Sequence, residues 1–268
     1  MKELSLEELK VIEFDILKMF DRFCKEHNIR YFLGYGTLLG AIRYKKFIPW
    51  DDDVDVLVPR ADYERLLALF EDSEKYRLYA FERNRKYRFP FAKLCDMDTR
   101  LVEGFYPQNG VELGVNIDIF PLDHWDDDLE EAKAEVERIR KLNAKLGYIK
   151  GDRPHTKNPL KYATWSVLIA CYRLRGSAYY IRRVTGECVK PHQSESRYAG
   201  VKAWPIWGDR GIVPADAFAD AVEIEFEGAM FPAPIGYDTY LRCLYGDYMP
   251  EPPVEKRKTH HSFLAYRR

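Results

Sequence analysis

Residues 31–66 read YFLGYGTLLGAIRYKKFIPWDDDVDVLVPRADYERL, and the fold turns on how that run divides. Residues 29–33 form a short strand entering a glycine turn. Gly34, Gly36, Thr37 and Gly40 then mark a turn that runs into a short helix from Thr37. Pro49 breaks that unit. In the DDDVDVLVP that follows, Val54, Val56 and Val58 alternate with Asp53, Asp55 and Leu57, the period of a strand with two faces. Pro59 stops the strand, and residues 62–70 are helical, with Tyr63, Leu66, Leu67 and Phe70 as the inner stripe.

That division places chemistry at one spot. Asp53 and Asp55 share a strand face, roughly 6–7 Å apart at the backbone, and can converge on one or two hard cations. The turn upstream, around Gly36 and Thr37, can offer backbone N–H groups and a helix N-terminus to a phosphate. Asp118 lies in GVNIDIF, where Ile117 and Ile119 bury on one face and the acid points to the other. Taken singly these features have plain readings: a polar strand face, a common glycine pair, solvated acids after a proline, or a Ca²⁺ loop at residues 51–55. The last lacks an EF-hand's glycine and distal glutamate. Taken in order they form the pattern of strand, glycine turn, helix, acidic strand and second acidic strand that a metal-dependent phosphoryl-transfer site requires.

Upstream, Ser5 and Glu8 make a capping-box pattern, and Leu9, Ile12, Ile16, Phe20 and Phe23 recur at helical spacing, predicting an amphipathic helix over 6–27. Downstream, residues 76–81, 89–95 and 111–120 read as strands, and 128–146 as a charged surface helix with Val136, Ile139 and Leu142 inward. Residues 158–184 are apolar and aromatic with basic flanks. The run is short enough to be taken as a buried helix; the other reading is a helix lying on a membrane surface. A hairpin over 221–232, a helix over 237–244 and a basic tail close the chain. Mixed strands and helices without strict alternation predict an α+β fold.

The chain has 268 residues, 46% of them hydrophobic and 15% aromatic, which is the make-up of an ordered protein. Lys plus Arg (42) nearly balances Asp plus Glu (43), so net charge offers no argument for nucleic-acid binding. Five scattered cysteines without metal-ligand spacing read as reduced thiols. The acidic, amphipathic start is not a signal peptide, and no window reaches the length of a membrane span. The expectation is a cytoplasmic protein, with peripheral contact at the inner face of the membrane left open.

The 31–66 run closely resembles the LicD family, which includes bacterial phosphocholine transferases and, more distantly, fukutin and fukutin-related protein. Further matches follow in order: KLCDMDT (93–99), IDIFPLD (117–123), YDTYLRCLYGDYM (237–249) and the closing residues 257–261. The resemblance covers nearly the whole chain, and TLLGAIR followed by IPWDDDVD is its most specific part.

The resemblance implies a nucleotidyltransferase-like mixed sheet flanked by helices, with a helical elaboration in the second half. A single domain over 1–268 would comprise a core to about 125, an elaboration over about 126–200, and a C-terminal part over about 201–268 that completes the site. It maps metal ligands for Mg²⁺ (or Mn²⁺) onto Asp53, Asp55 and Asp118. It also implies a CDP-alcohol donor, most often CDP-choline, and a glycan or lipid-linked glycan acceptor, with CMP released. Arg43 and Lys93 are candidate phosphate contacts by charge and position. Trp50, Trp204 and Trp207 are candidate faces for a trimethylammonium group. His260 and His261 are candidates for nucleotide contact within a matched motif. Competing readings are a nucleotidyltransferase that adds NMP and releases pyrophosphate, and a non-catalytic nucleotide- or glycan-binding module.

Overall fold

A computed structural model describes residues 2–103, 110–150, 158–189, 196–257, 259 and 263–268. After a two-residue strand β1 (Lys2–Glu3), Ser5 starts helix α1 (Leu6–Glu26) with the reciprocal cap that its sequence calls for. The Glu8 N–H donates to Ser5 Oγ at 3.2 Å, and the Ser5 N–H donates to the Glu8 carboxylate at 3.0 Å. The apolar stripe of α1 is buried from Leu9 to Cys24 and lies over the central sheet.

Next come β2 (Phe32–Leu33), α2 (Tyr35–Tyr44), β3 (Asp55–Pro59), α3 (Arg60–Leu69), β4 (Tyr76–Tyr79), β5 (Ala92–Glu103) and β6 (Leu113–His124). The chain continues as α4 (Leu129–Lys150), α5 (Pro159–Cys188), β7 (Tyr198–Gly200), β8 (Val213–Pro214), β9 (Ala221–Phe226), β10 (Ala229–Pro234), α6 (Tyr237–Tyr245) and β11 (Phe263–Arg267). The main sheet has the order β1-β11-β5-β6-β3-β2, with β4 added on β5 and β7 then β8 on β6. Among the described residues its one parallel pair is β3–β6, and the remaining pairs are antiparallel. The hairpin β9–β10 stands apart as a second sheet. This is an α+β fold, as the element pattern predicts.

Three details differ from the sequence reading. The acidic strand is buried on both faces: Asp55, Val56, Leu57 and Val58 are all buried, because β3 lies inside the sheet between β2 and β6. The alternation of Val and Asp therefore marks a buried acid rather than a solvated face. The chain's two ends also pair as strands, with Lys2 opposite Arg267 and β11 running along the far half of β5. A two-residue strand and a basic tail carry too little pattern to show that pairing in advance.

The third difference concerns α5, which is not a buried helix. Among residues 158–175 only Ile169 is buried. At Gly176 the backbone takes φ 73°, ψ 161°, which breaks the helix and which a residue with a Cβ rarely adopts. Beyond that break Tyr180, Ile181, Val184 and Cys188 do bury, against Val136, Ile139 and Trp125 among others. Next to this smaller core Lys202 and Glu135, both almost fully buried, form an ion pair at 2.9 Å, and Lys202 also donates to the His124 carbonyl. No helix among the described residues is long and apolar enough to cross a membrane.

Candidate active site

The site assembles where α2 and β3 both begin. Gly34 precedes α2 and, having no side chain, supplies no N-cap bond of its own. Tyr35 holds a left-handed φ of 40°, a strained conformation for a bulky residue, costing about 1–3 kcal/mol. The surroundings enforce it. The Tyr35 N–H donates to the Tyr240 hydroxyl at 3.3 Å, and its ring packs edge-on to Phe120 at 5.6 Å. A Cβ on Gly36 would come 2.5 Å from the Asp51 carboxylate, so glycine here is what lets an acid close over the helix start. Thr37 is buried and its hydroxyl accepts from the Asp55 N–H at 2.9 Å, fixing the helix to the acidic strand.

Register sets the rest. Asp55 pairs with Asp118 across β3–β6, and Lys93 pairs with Asp118 from the other side across β5–β6. The Lys93 ammonium donates to Asp118 Oδ1 and, at 3.1 Å, to Asn116 Oδ1. Burial pushes the Asp55 carboxyl well above the usual range; Asp53, Asp118 and Asp51 push it further and Lys93 opposes them. Carboxylate oxygens of Asp51, Asp52 and Asp53 lie within 4.8 Å of one another. From α1, Glu13 is 2% exposed and its Oε2 has no hydrogen-bond partner. Its carboxyl is raised by burial first and then by Asp53, Asp52, Asp51 and Asp118. So many acids around one point, with Lys93 opposing them, are a donor set that suits a hard divalent cation.

A cleft of about 610 Å³ opens on this cluster. Of the residues singled out in the sequence, Gly36, Arg43, Trp50, Asp53, Asp55 and Trp207 line it. Asp118 and Lys93 form the row behind Asp55, and Thr37 braces it. Arg43 donates to the Met249 carbonyl at 3.0 Å, and Arg257 lies over the Trp50 ring at 5.3 Å. Trp204 packs edge-on to Phe89 and Phe91 and is not among the lining residues. His260 and His261 lie outside the described residues.

The far wall comes from the last quarter of the chain: Trp207, Tyr245, Asp247 and Tyr248. Trp207 meets Tyr245 edge-on at 4.7 Å, and its indole N–H is buried without a partner. Gly246, at φ 73°, ends α6 and turns Asp247 and Tyr248 into the cleft. Tyr248 is held there by donating to Asp238 at 2.7 Å. Only Trp207 of this wall was singled out in the sequence. The YGDY segment falls within a family-like stretch, but its distance along the chain from the acids hides that the two meet.

An acidic strand beside an uncapped helix start, in a mixed sheet, is the arrangement expected of a nucleotidyltransferase-type domain. Residues 28–137 match the family model described as LicD/FKTN/FKRP, nucleotidyltransferase domain. The chain is also 29% identical, over 274 residues spanning 99% of each sequence, to the lipopolysaccharide cholinephosphotransferase LicD of Haemophilus influenzae. An uncharacterised protein of Rickettsia typhi is 31% identical over 74 residues, 26% of this chain and 24% of its own length. A further one, from Rickettsia prowazekii, is 34% identical over 61 residues, 22% and 23% of the two chains. Residues 28–137 thus match the LicD family model, and the chain is similar from end to end to one LicD protein.

Proposed function

We propose that this protein transfers phosphocholine, or a related phospho-alcohol, from a CDP-activated donor to a hydroxyl of a surface glycan or its lipid-linked precursor. The observation that carries the reading is one cleft with two unlike walls. Asp53 and Asp55 line one side, with Asp118 in register behind; Trp207 and Tyr245 line the other. The relative that matches from end to end is named for cholinephosphate transfer to lipopolysaccharide. In this reaction the acceptor oxygen bonds to the phosphorus that carries choline. The bond from that phosphorus to the bridging oxygen breaks, CMP leaves with the electron pair, and the acceptor's proton is given up.

Asp53, Asp55 and Asp118 would hold a divalent cation, Mg²⁺ or Mn²⁺, which when bound supplies charge neutralisation for the donor diphosphate. Gly36 lies in the first turn of α2, whose positive end favours a donor phosphate, and the Asp51 carboxylate that closes over this turn would be neutralised by the same cation. Arg43, already anchored on the Met249 carbonyl, presents its charge to the same cleft. Lys93 fixes Asp118 and offsets part of the repulsion in the acidic row. The aromatic wall suits a cationic head group, whose attraction to an aromatic face is worth about 0.5–2 kcal/mol.

The test is incubation with CDP-choline, Mg²⁺ and glycan acceptors, with CMP and modified glycan measured together. CMP formed in step with product, and lost in Asp53→Ala, supports the reading. Pyrophosphate released from a nucleoside triphosphate would instead assign nucleotidyl transfer, and no turnover of any CDP-alcohol would sink the proposal.

A further inference from the structure

Exposed apolar surface is concentrated on the first half of α5. Leu160, Val167 and Leu174 are 77%, 65% and 88% exposed. Seven-residue steps keep them on one stripe, because seven residues turn the helix to within about 20° of two full turns. Trp165 and Tyr172 belong to the partnered side, where Tyr148 of α4 stacks near them at 5.7 and 6.5 Å. The helix thus has one edge packed on α4 and an outer edge made of large apolar side chains. A surface helix ordinarily places charges at such outward positions.

The charges here are one-sided. Residues 158–186 contain Lys161, Arg173, Arg175, Arg182 and Arg183 and no Asp or Glu; residues 138–150 of the neighbouring α4 are also free of acids. The chain as a whole is balanced, so this end of the α4–α5 pair is a local basic region. An apolar stripe with basic residues beside it and no acids is the composition of a helix that lies in a lipid interface. A second copy of this chain is the poorer fit, since docking the stripe on itself would set cation against cation with no acid on that face in reply.

We propose that residues 159–175 form a docking surface for an anionic lipid bilayer. Leu160, Val167 and Leu174 enter the acyl boundary, while Lys161, Arg175 and, at the α4 edge where it donates to the Tyr148 carbonyl, Arg173 lie at the level of the lipid phosphates. The break at Gly176 separates this segment from the buried half of α5, and Tyr172, on the side facing α4, links it to the smaller core beyond. The inference stands on this helix pair and does not depend on the proposed reaction; a lipid-linked acceptor would give it a use.

Sedimentation of the full-length protein with vesicles tests it. One set is phosphatidylcholine alone and the other an equimolar mixture with phosphatidylglycerol. The anionic set should bind on the order of a hundredfold better, since each of three basic residues near the surface contributes about 1 kcal/mol. Binding should weaken with added salt. The triple variant Leu160→Ser, Val167→Ser, Leu174→Ser should lose at least about tenfold of that binding with its circular dichroism and Tm unchanged, since it removes exposed side chains. Absence of binding to either vesicle, or equal binding to both, overturns the proposal. So does a wild-type dimer in light scattering that the same serine variant dissociates.

Discussion

Asp55 and Asp118 stand directly opposite each other across the parallel pair β3–β6, and Lys93 reaches Asp118 from the next strand. Two acids side by side inside a sheet are unfavourable unless a cation sits with them. Mg²⁺ should therefore raise the Tm of the wild type, because a ligand that binds only the folded state stabilises it. Asp55→Asn should abolish that rise and lower transfer activity by at least about 10²–10³-fold, the scale of losing one essential electrostatic group. A Mg²⁺-dependent Tm that persists in Asp55→Asn would remove Asp55 from the ligand set.

Lys93 is the counter-charge that this row already contains. Lys93→Met leaves the partly buried Asp118 beside Asp55 without its ammonium partner, and should cost about 1–3 kcal/mol in urea unfolding. Adding Asp118→Asn to Lys93→Met should recover much of the loss, because the uncompensated charge is gone. If the double variant is no more stable than the single, Lys93 contributes by packing rather than by charge.

Trp207 and Tyr245 predict how the cleft tells head groups apart. Trp207→Ala should raise the KM for CDP-choline by up to about 30-fold, the upper range of a desolvated cation–aromatic contact. The KM for CDP-glycerol, which is neutral at the head group, should change much less. Trp207→Phe should keep most of the preference. Equal losses for both donors would assign the indole to packing.

The sequence made the acids legible and left their surroundings hidden, for physical reasons. The alternation of Val54, Val56 and Val58 with Asp53 and Asp55 is local, so it can be read without knowing what packs on it. Burial of the same strand depends on β2 and β6, one of them far along the chain, so the alternation alone does not show it. Thr37 shows the same division: its place beside the glycine turn is local, while its bond to the Asp55 N–H is made across the fold. Glu13 lies on a helix whose pattern marks only the apolar stripe, so nothing local shows that it buries near Asp52 and Asp53. For α5 the exposure of Leu160, Val167 and Leu174 contradicts the usual inference from apolar composition to core.

Glu13 supplies a pH test of that hidden contact. Its carboxyl is raised well above its ordinary value of 4.5 by burial and by the neighbouring acids. The folded state then holds a proton that the unfolded state releases, so stability is full below about 4.5 and falls as pH rises toward the folded value. Each unit of such a shift is worth about 1.4 kcal/mol. Glu13→Gln, which stays neutral, should match the wild type in Tm under acid conditions and exceed it near neutrality. Saturating Mg²⁺ should narrow the gap, because charge neutralised at Asp51, Asp52 and Asp53 no longer opposes ionisation of Glu13. If Glu13→Gln is instead the less stable protein near neutrality, the carboxylate is ionised in the fold. Its unpaired oxygen would then belong to the cation's ligands, rather than to a neutral prop beneath them.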